Sequence, residues 1–312
     1  MARQGLEGEL FALLAGLVSI PSAFPPGDTS RIAAFCGDFL SSLGYERRIH
    51  ERTKGVVNLV ARLGAGKPSL VFNAHADTVD VGERAAWRTD PWKATLVDGR
   101  VHGLGACNSK SAMAVHLWLA REAARRGGPK HGELVFTLVG DEENLGSNGL
   151  AYLREISAVR PDTLIVAAQT RNRLVLEERG VMWVRAVTRG RAAHAGAPHA
   201  GDLAILRMNR VISEVERSLA PEILARKSAS GQQSTLSIGK IRGGENTNVV
   251  PDLCTIEIDR RILPEEDLYV AFEELKLFLV SAGAQQVELL TGTAGFRADE
   301  GGPGVRAFSE SI

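Results

Sequence analysis

The run Ser69-Leu70-Val71-Phe72-Asn73-Ala74 is short and apolar, and it leads directly into His75-Ala76-Asp77-Thr78. A histidine and an aspartate two residues apart can hold a metal ion, with the carboxylate orienting the imidazole or tuning the site from behind it. They can equally be loop polars with local hydrogen bonds. A second apolar run, residues 133–139, ends in Asp141-Glu142-Glu143. Three adjacent carboxylates repel one another unless a cation or an altered protonation relieves them. One of them can then bind a metal while its neighbour acts as general base. The other reading is an acidic helix start, with Asp141 as cap and the glutamates complementing the dipole. Between these two clusters, Gly103-Leu104-Gly105-Ala106-Cys107-Asn108-Ser109-Lys110 has the form of a loop that delivers one side chain, the amide of Asn108, to the head of a helix. The neighbouring Cys107 offers a possible zinc ligand but reads as a small buried thiol.

A layered α/β unit must position these groups. Runs at 69–74, 133–139 and 163–167 have the length and apolarity of buried strands. Residues 110–126 set Met113, Leu117, Ala120 and Ala124 at helical spacing and stop at Gly127-Gly128, which completes a β-α-β rhythm. In open α/β sheets, ligands collect at the carboxyl ends of strands, where His75, Asp77 and the three acids stand. Near Gly180 the texture changes to strand, helix-like 201–218, strands at 234–241 and 253–259, and helix at 265–282. The sequence therefore predicts a first domain over 1–179 and a second over 180–290. Residues 291–312, rich in glycine and charge, read as a loose, incomplete start of a return to the first domain. The N-terminal stretch reads as a surface helix.

The 312 residues are 44% hydrophobic and 24% charged, as in a globular protein. Lys plus Arg and Asp plus Glu each total 37, which gives no global attraction to nucleic acid or an anionic membrane and points to a small-molecule partner. Cys36, Cys107 and Cys254 are too few and scattered for a disulfide framework, so a reducing, cytoplasmic compartment is expected.

Taken in order, His75-x-Asp77, Trp87-Arg88-Thr89-Asp90-Pro91-Trp92, the loop to Lys110 and Asp141-Glu142-Glu143 resemble the M20 metallopeptidase and deacylase family. Gly190 to Pro198 resembles that family's GxxxHxxxP segment, Gly243 to Pro251 its GGxxxNxVP motif, and Arg261-Ile262-Leu263-Pro264 its RxxP motif. The resemblance covers about residues 15–265 and rests on many ordered motifs, each weak alone. It implies an α/β fold, with a metal-hydrolase-type catalytic domain (a central mixed sheet flanked by helices) and an inserted α+β lid and dimerisation domain. It further implies a homodimer through the lids and hydrolysis of a linear amide bond in an N-acyl amino acid or small peptide by water activated at a pair of zinc, cobalt or manganese ions. His75 would bind one ion and Glu143 the other, Asp77 would orient His75, and Glu142 would be the general base. His194 would stabilise the oxyanion, and Asn248 and Arg261 would hold substrate. Read by itself, His194 can be a lone polar lid residue, and Arg261 can be in a structural ion pair with Asp259 or Glu257.

The chain departs from the family pattern at three ligands. Asn108 stands where the family has its bridging aspartate, a degenerate metal position: an amide oxygen can bind one hard cation, but it is neutral and poorly suited to bridging two. Aligning Thr170 with the family's EPT segment puts Ala168 at a glutamate position, and a slip by one residue offers only Gln169. No histidine follows His199, so the last ligand has no counterpart. With fewer anionic donors, one ion or none is expected rather than two. Three accounts follow: an amidohydrolase with a remodelled site, a metal-deficient binding or regulatory relative, or a piece of a longer active enzyme.

Overall fold

The computed structural model describes residues 2–311, and the chain divides between Arg173 and Leu174 into two compact units. The first unit contains helices α1 (Ala2–Val18) and α2 (Ser30–Ser42), then strands β1 (Glu46–Glu51), β2 (Val57–Ala65) and β3 (Ser69–His75). A small hairpin of β4 (Thr95–Val97) and β5 (Arg100–His102) precedes α3 (Lys110–Arg125), β6 (Gly132–Val139), α4 (Leu150–Glu155) and β7 (Thr163–Val166). The main sheet has the order β1-β2-β6-β3-β7. β2 runs antiparallel to its neighbours β1 and β6, whereas β3 runs parallel to both β6 and β7, so the sheet is mixed.

Helix α3 is the crossover between parallel β3 and β6, and the apolar spacing of its residues explains its packing. Met113, Ala114, Leu117 and Ala120 are buried in one cluster with Leu59, Ala74, Phe136 and Leu138 of the sheet. It ends as its glycines dictate: Gly127, with φ of 87°, donates to the Ala124 carbonyl, and Gly128 donates to that of Ala123. His116 faces inward from the same helix, against the stacked rings of Phe72 and Phe136. A second cluster, with Val60, Val71, Val135 and Leu153, fills the other face of the sheet.

The second unit contains β8 (Glu177–Glu178), β9 (Gly180–Arg189), β10 (Ala193–His194), α5 (Ala204–Glu214), α6 (Ala220–Ala225), β11 (Thr235–Gly243) and β12 (Val249–Val250). It continues with β13 (Leu253–Ile262), α7 (Leu268–Ser281), β14 (Gln286–Thr293), β15 (Phe296–Arg297) and α8 (Pro303–Ser309). Its antiparallel sheet runs β11-β13-β9-β14. Met182, Val184 and Ala186 of β9 meet Met208 and Val211 of α5 and Leu275 and Leu279 of α7 in a core of their own.

Two expectations are corrected here. Residues 291–312 are not uniformly loose: β14 reaches Thr293, β15 pairs with β8, and α8 follows. Cys107 is exposed rather than buried, because the loop turns it away from the core that takes in Cys36. No helix of the described residues is long and apolar enough to cross a membrane.

Candidate active site in the first unit

Parallel pairing sets His75 of β3 opposite Val139 of β6, so the His75 end of one strand and the acidic turn after the other emerge side by side. Asp141 does not cap a helix. It has φ of 68° and heads a turn that runs to Gly149, and the next helix starts only at Leu150. Asp141 Oδ2 accepts hydrogen bonds from the Asn148 N–H at 3.0 Å and the Asn148 side-chain amide at 2.7 Å. Gly146 must be glycine for this closure, since a Cβ there would lie 1.8 Å from that oxygen. Buried Asn58 of β2 ties both ends of the turn, donating to the Asn148 carbonyl at 2.8 Å and accepting from the Gly140 N–H at 3.2 Å. Glu142 and Glu143 are thus displayed on a braced turn.

The loop from Gly103 delivers Asn108 to His75 and Glu143. Gly105 has φ of 74°, and a Cβ on it would come within 2.6 Å of the Thr78 side chain. Ser109 Oγ donates to the His75 carbonyl at 3.1 Å, and the buried Lys110 ammonium donates to the Ile20 carbonyl at 2.8 Å. The Asn108–Ser109 peptide is cis.

At the centre, His75 Nε2 lies 3.0 Å from Asn108 Oδ1, and Asn108 Nδ2 donates to Glu143 Oε1 at 3.0 Å. The Glu143 N–H donates to Asp77 Oδ2 at 3.0 Å. His75 Nδ1 is 3.0 Å from the Asp77 carbonyl oxygen and 3.5 Å from Asp77 Oδ1, while Nε2 is 3.7 Å from Glu142 Oε2. Burial pushes the His75 imidazole down, but bonding to Asp77 and Asn108 and the charges of Glu142 and Asp77 outweigh it and hold the group at about 9.

His75, Glu142 and Glu143 each offer a donor atom, and these atoms lie within 4.8 Å of one another. A divalent ion with ligands at about 2.0–2.2 Å holds its donors roughly 3.0–3.5 Å apart, so a small contraction suffices. Asp77 is 1% exposed, and its Oδ1 has no hydrogen-bond partner while it faces the His75 ring. That orphaned oxygen suits a residue that orients a metal-binding imidazole. The imidazole of His75 and the carboxylate of Glu143 suit one divalent ion, with the Glu142 carboxylate beside them. The amide of Asn108 bonds both His75 and Glu143, and Ala168 brings no side-chain donor.

Ala168 and Gln169 instead line a groove of about 190 Å³ with Cys107, Ser109, Thr170, Arg171 and Asn172. The first unit therefore gathers His75, Asp77, Asn108, Glu142 and Glu143. Arg171 escaped the sequence reading; a cation just beyond the Ala168 position was its available signal.

The other candidates lie in the second unit. His194 on β10 pairs with Val249 on β12, and the Ala195 N–H donates to the Asn248 carbonyl at 2.9 Å, which makes His194 and Asn248 close neighbours. His194 Nδ1 accepts the Gly196 N–H at 3.0 Å, which assigns the proton of the neutral ring to Nε2. Arg261 donates from Nε at 2.9 Å and Nη2 at 3.2 Å to the two carboxylate oxygens of Asp259, while Glu257 pairs with Arg185 and Lys240. Its neighbour Arg260 is fully buried and bonds Glu266 at 2.8 Å.

Residues 176–286 match the family description of a peptidase dimerisation domain (M20_dimer), and residues 58–168 match peptidase family M28. A succinyl-diaminopimelate desuccinylase of Parvibaculum lavamentivorans is 32% identical over 75% of this chain and 61% of its own length. Another, from Cereibacter sphaeroides, is 30% identical over 80% of this chain and 67% of its own. The chain thus spans about two thirds of the length of these curated relatives. Among solved structures, an M20 family metallo-carboxypeptidase of Sulfolobus solfataricus superposes with a TM-score of 0.79 at 20% identity, over 97% of this chain and 82% of that one. A Bacillus subtilis protein described as a dinuclear metal-binding M20 peptidase gives 0.66 at 15%, over 99% and 80%.

Proposed function

This chain belongs to the M20 peptidase family, and from that premise we propose that it hydrolyses a linear amide bond in an N-acyl amino acid or small peptide, using one divalent ion and Glu142 as general base. The observation that carries the proposal is the meeting of His75, Glu142 and Glu143 at the carboxyl ends of parallel β3 and β6. His75 and Glu143 would hold a Zn²⁺, Co²⁺ or Mn²⁺ ion. When bound, that ion supplies Lewis acidity to a carbonyl oxygen and lowers the pKa of water. Glu142, whose side chain is half-exposed, takes a proton at Oε2 from the attacking water and returns it to the leaving nitrogen. Asp77 keeps the His75 ring in register throughout.

The groove beside Asn108 gives the acyl group room, and Arg171 in its wall suits an acyl chain that ends in a carboxylate. The two curated relatives are named as desuccinylases, which agrees with such a chain. From the family resemblance we assign residues 1–179 to the catalytic domain and 180–290 to a lid through which two copies pair in the cytoplasm. His194 then serves as oxyanion donor from its Nε2 edge, with Asn248 and Arg261 at the substrate. A panel of N-acetyl and N-succinyl amino acids assayed with each of the three metals tests the reading. Turnover is expected, with a loss of about a hundredfold or more in Glu142→Gln. No turnover across the panel would sink it.

A further inference from the structure

The four contacts around Asn108 form a closed circuit. It runs from His75 Nε2 to Asn108 Oδ1, from Asn108 Nδ2 to Glu143 Oε1, from the Glu143 N–H to Asp77 Oδ2, and from the Asp77 carbonyl oxygen back to His75 Nδ1. Each of these separations is 3.0 Å. An amide is the side chain that can complete such a circuit, because it presents an acceptor and a donor on one short stem. Its NH₂ must face the Glu143 carboxylate, which only accepts, and its oxygen is thereby turned to the imidazole. An aspartate in the same place would set carboxylate against carboxylate, an arrangement that needs a cation between them.

We propose that Asn108 is a built-in strut that takes the place of one cation: it joins His75 to Glu143, holds these donors assembled when the site is empty, and limits the site to at most one divalent ion. The inference rests on reading this cluster as a metal-hydrolase centre, but it concerns how the centre is held together rather than what it cleaves. The surroundings support a fixed strut. Ser109, next in the chain, is bonded to the His75 carbonyl, and Lys110 anchors the helix head to Ile20. Asp77 Oδ1 is the buried oxygen that the circuit leaves without a partner, and it lies 3.5 Å from His75 Nδ1, on the side of the ring away from Asn108.

The test uses the full chain. Zinc and manganese content after loading and dialysis is measured by elemental mass spectrometry, and melting temperature is followed with chelator and with zinc, for wild type, Asn108→Asp and Asn108→Leu. Wild type is expected to take up no more than one ion per chain. In chelator, both variants should melt below wild type by about 3 °C or more. Asn108→Leu loses both hydrogen bonds, and Asn108→Asp sets its carboxylate against that of Glu143. With zinc, Asn108→Asp should recover and take up more metal than wild type, whereas Asn108→Leu should not. Two ions in wild type would overturn the strut and leave the hydrolase reading standing. Variants that match wild type in chelated melting would also overturn it. Uptake of no ion by wild type, or one ion without turnover, would instead sink the hydrolase reading and leave the strut intact. If Asn108→Asp does not fold, wild-type stoichiometry and Asn108→Leu still decide the question.

Discussion

Arg171 makes a separable contribution to the proposed reaction. It lines the groove beside Asn108, so its guanidinium should recognise the far end of an acyl chain rather than the scissile bond. Arg171→Ala is expected to lower kcat/KM for an N-succinyl amino acid by about tenfold, mostly through KM, and to leave the N-acetyl analogue almost unchanged. An equal loss on both would remove Arg171 from acyl recognition. His116 makes a second prediction, for stability. Burial against Phe72 and Phe136 pushes it down to about 4, and its Nδ1 has no partner. The unfolded chain, with an ordinary imidazole near 6.5, binds the extra proton first. Stability should therefore fall as pH drops from about 6.5 to 4, by roughly 3 kcal/mol from this residue. His116→Leu should flatten that part of the urea-midpoint profile against pH, and an unchanged slope would refute the assignment. The sequence reading singled out His75, Asp77, Glu142 and Glu143 because they follow apolar strand-like runs. It read Asn108 as a delivered side chain at a degenerate ligand position and not as a link between His75 and Glu143, since its hydrogen bonds depend on residues 33 before and 35 after it.

At the scale of elements, the Asp141–Gly149 turn sets the aim of both glutamates, and Asn58 on a neighbouring strand braces it. Asn58→Ala leaves the Gly140 N–H and the Asn148 carbonyl without that partner, so a cost of about 1–3 kcal/mol is expected. Because the turn loosens where Glu142 is displayed, kcat should fall more than KM rises. Loss of stability with unchanged kcat would show that the brace does not reach the base. The elements most legible in the sequence were those whose evidence is local: α3, with its inward apolar spacing and glycine stop, and the short runs of β3, β6 and β7. β14 was hidden because its partner β9 lies far upstream and its own residues are only half-buried, so the pattern is faint until the pairing exists. The helix start, one of the two readings open at Asp141, fails for a related reason. Acids after a strand look like a helix start, whereas here bonds to Asn148 and Gly146 hold Asp141 at positive φ.

At the scale of the whole molecule, each unit carries its own hydrophobic core, the first between α3 and the mixed sheet and the second between α5, α7 and the antiparallel sheet. All the proposed metal donors belong to the first unit. Binding an ion stabilises only the part that folds to form its site, by about 2.7 kcal/mol at a hundredfold excess over the dissociation constant. For a unit of this size, that is a rise of roughly 5–10 °C in melting temperature. Residues 174–312 expressed alone should therefore melt cooperatively on the strength of their own core and show no response to zinc. The full chain should gain a zinc-dependent shift that Glu143→Ala removes. Scanning calorimetry of the three proteins with and without zinc measures both. A fragment that fails to melt cooperatively would deny the second unit an independent core. A zinc shift that survives Glu143→Ala would place the bound ion away from His75 and the acidic turn, and with it the chemistry proposed for them.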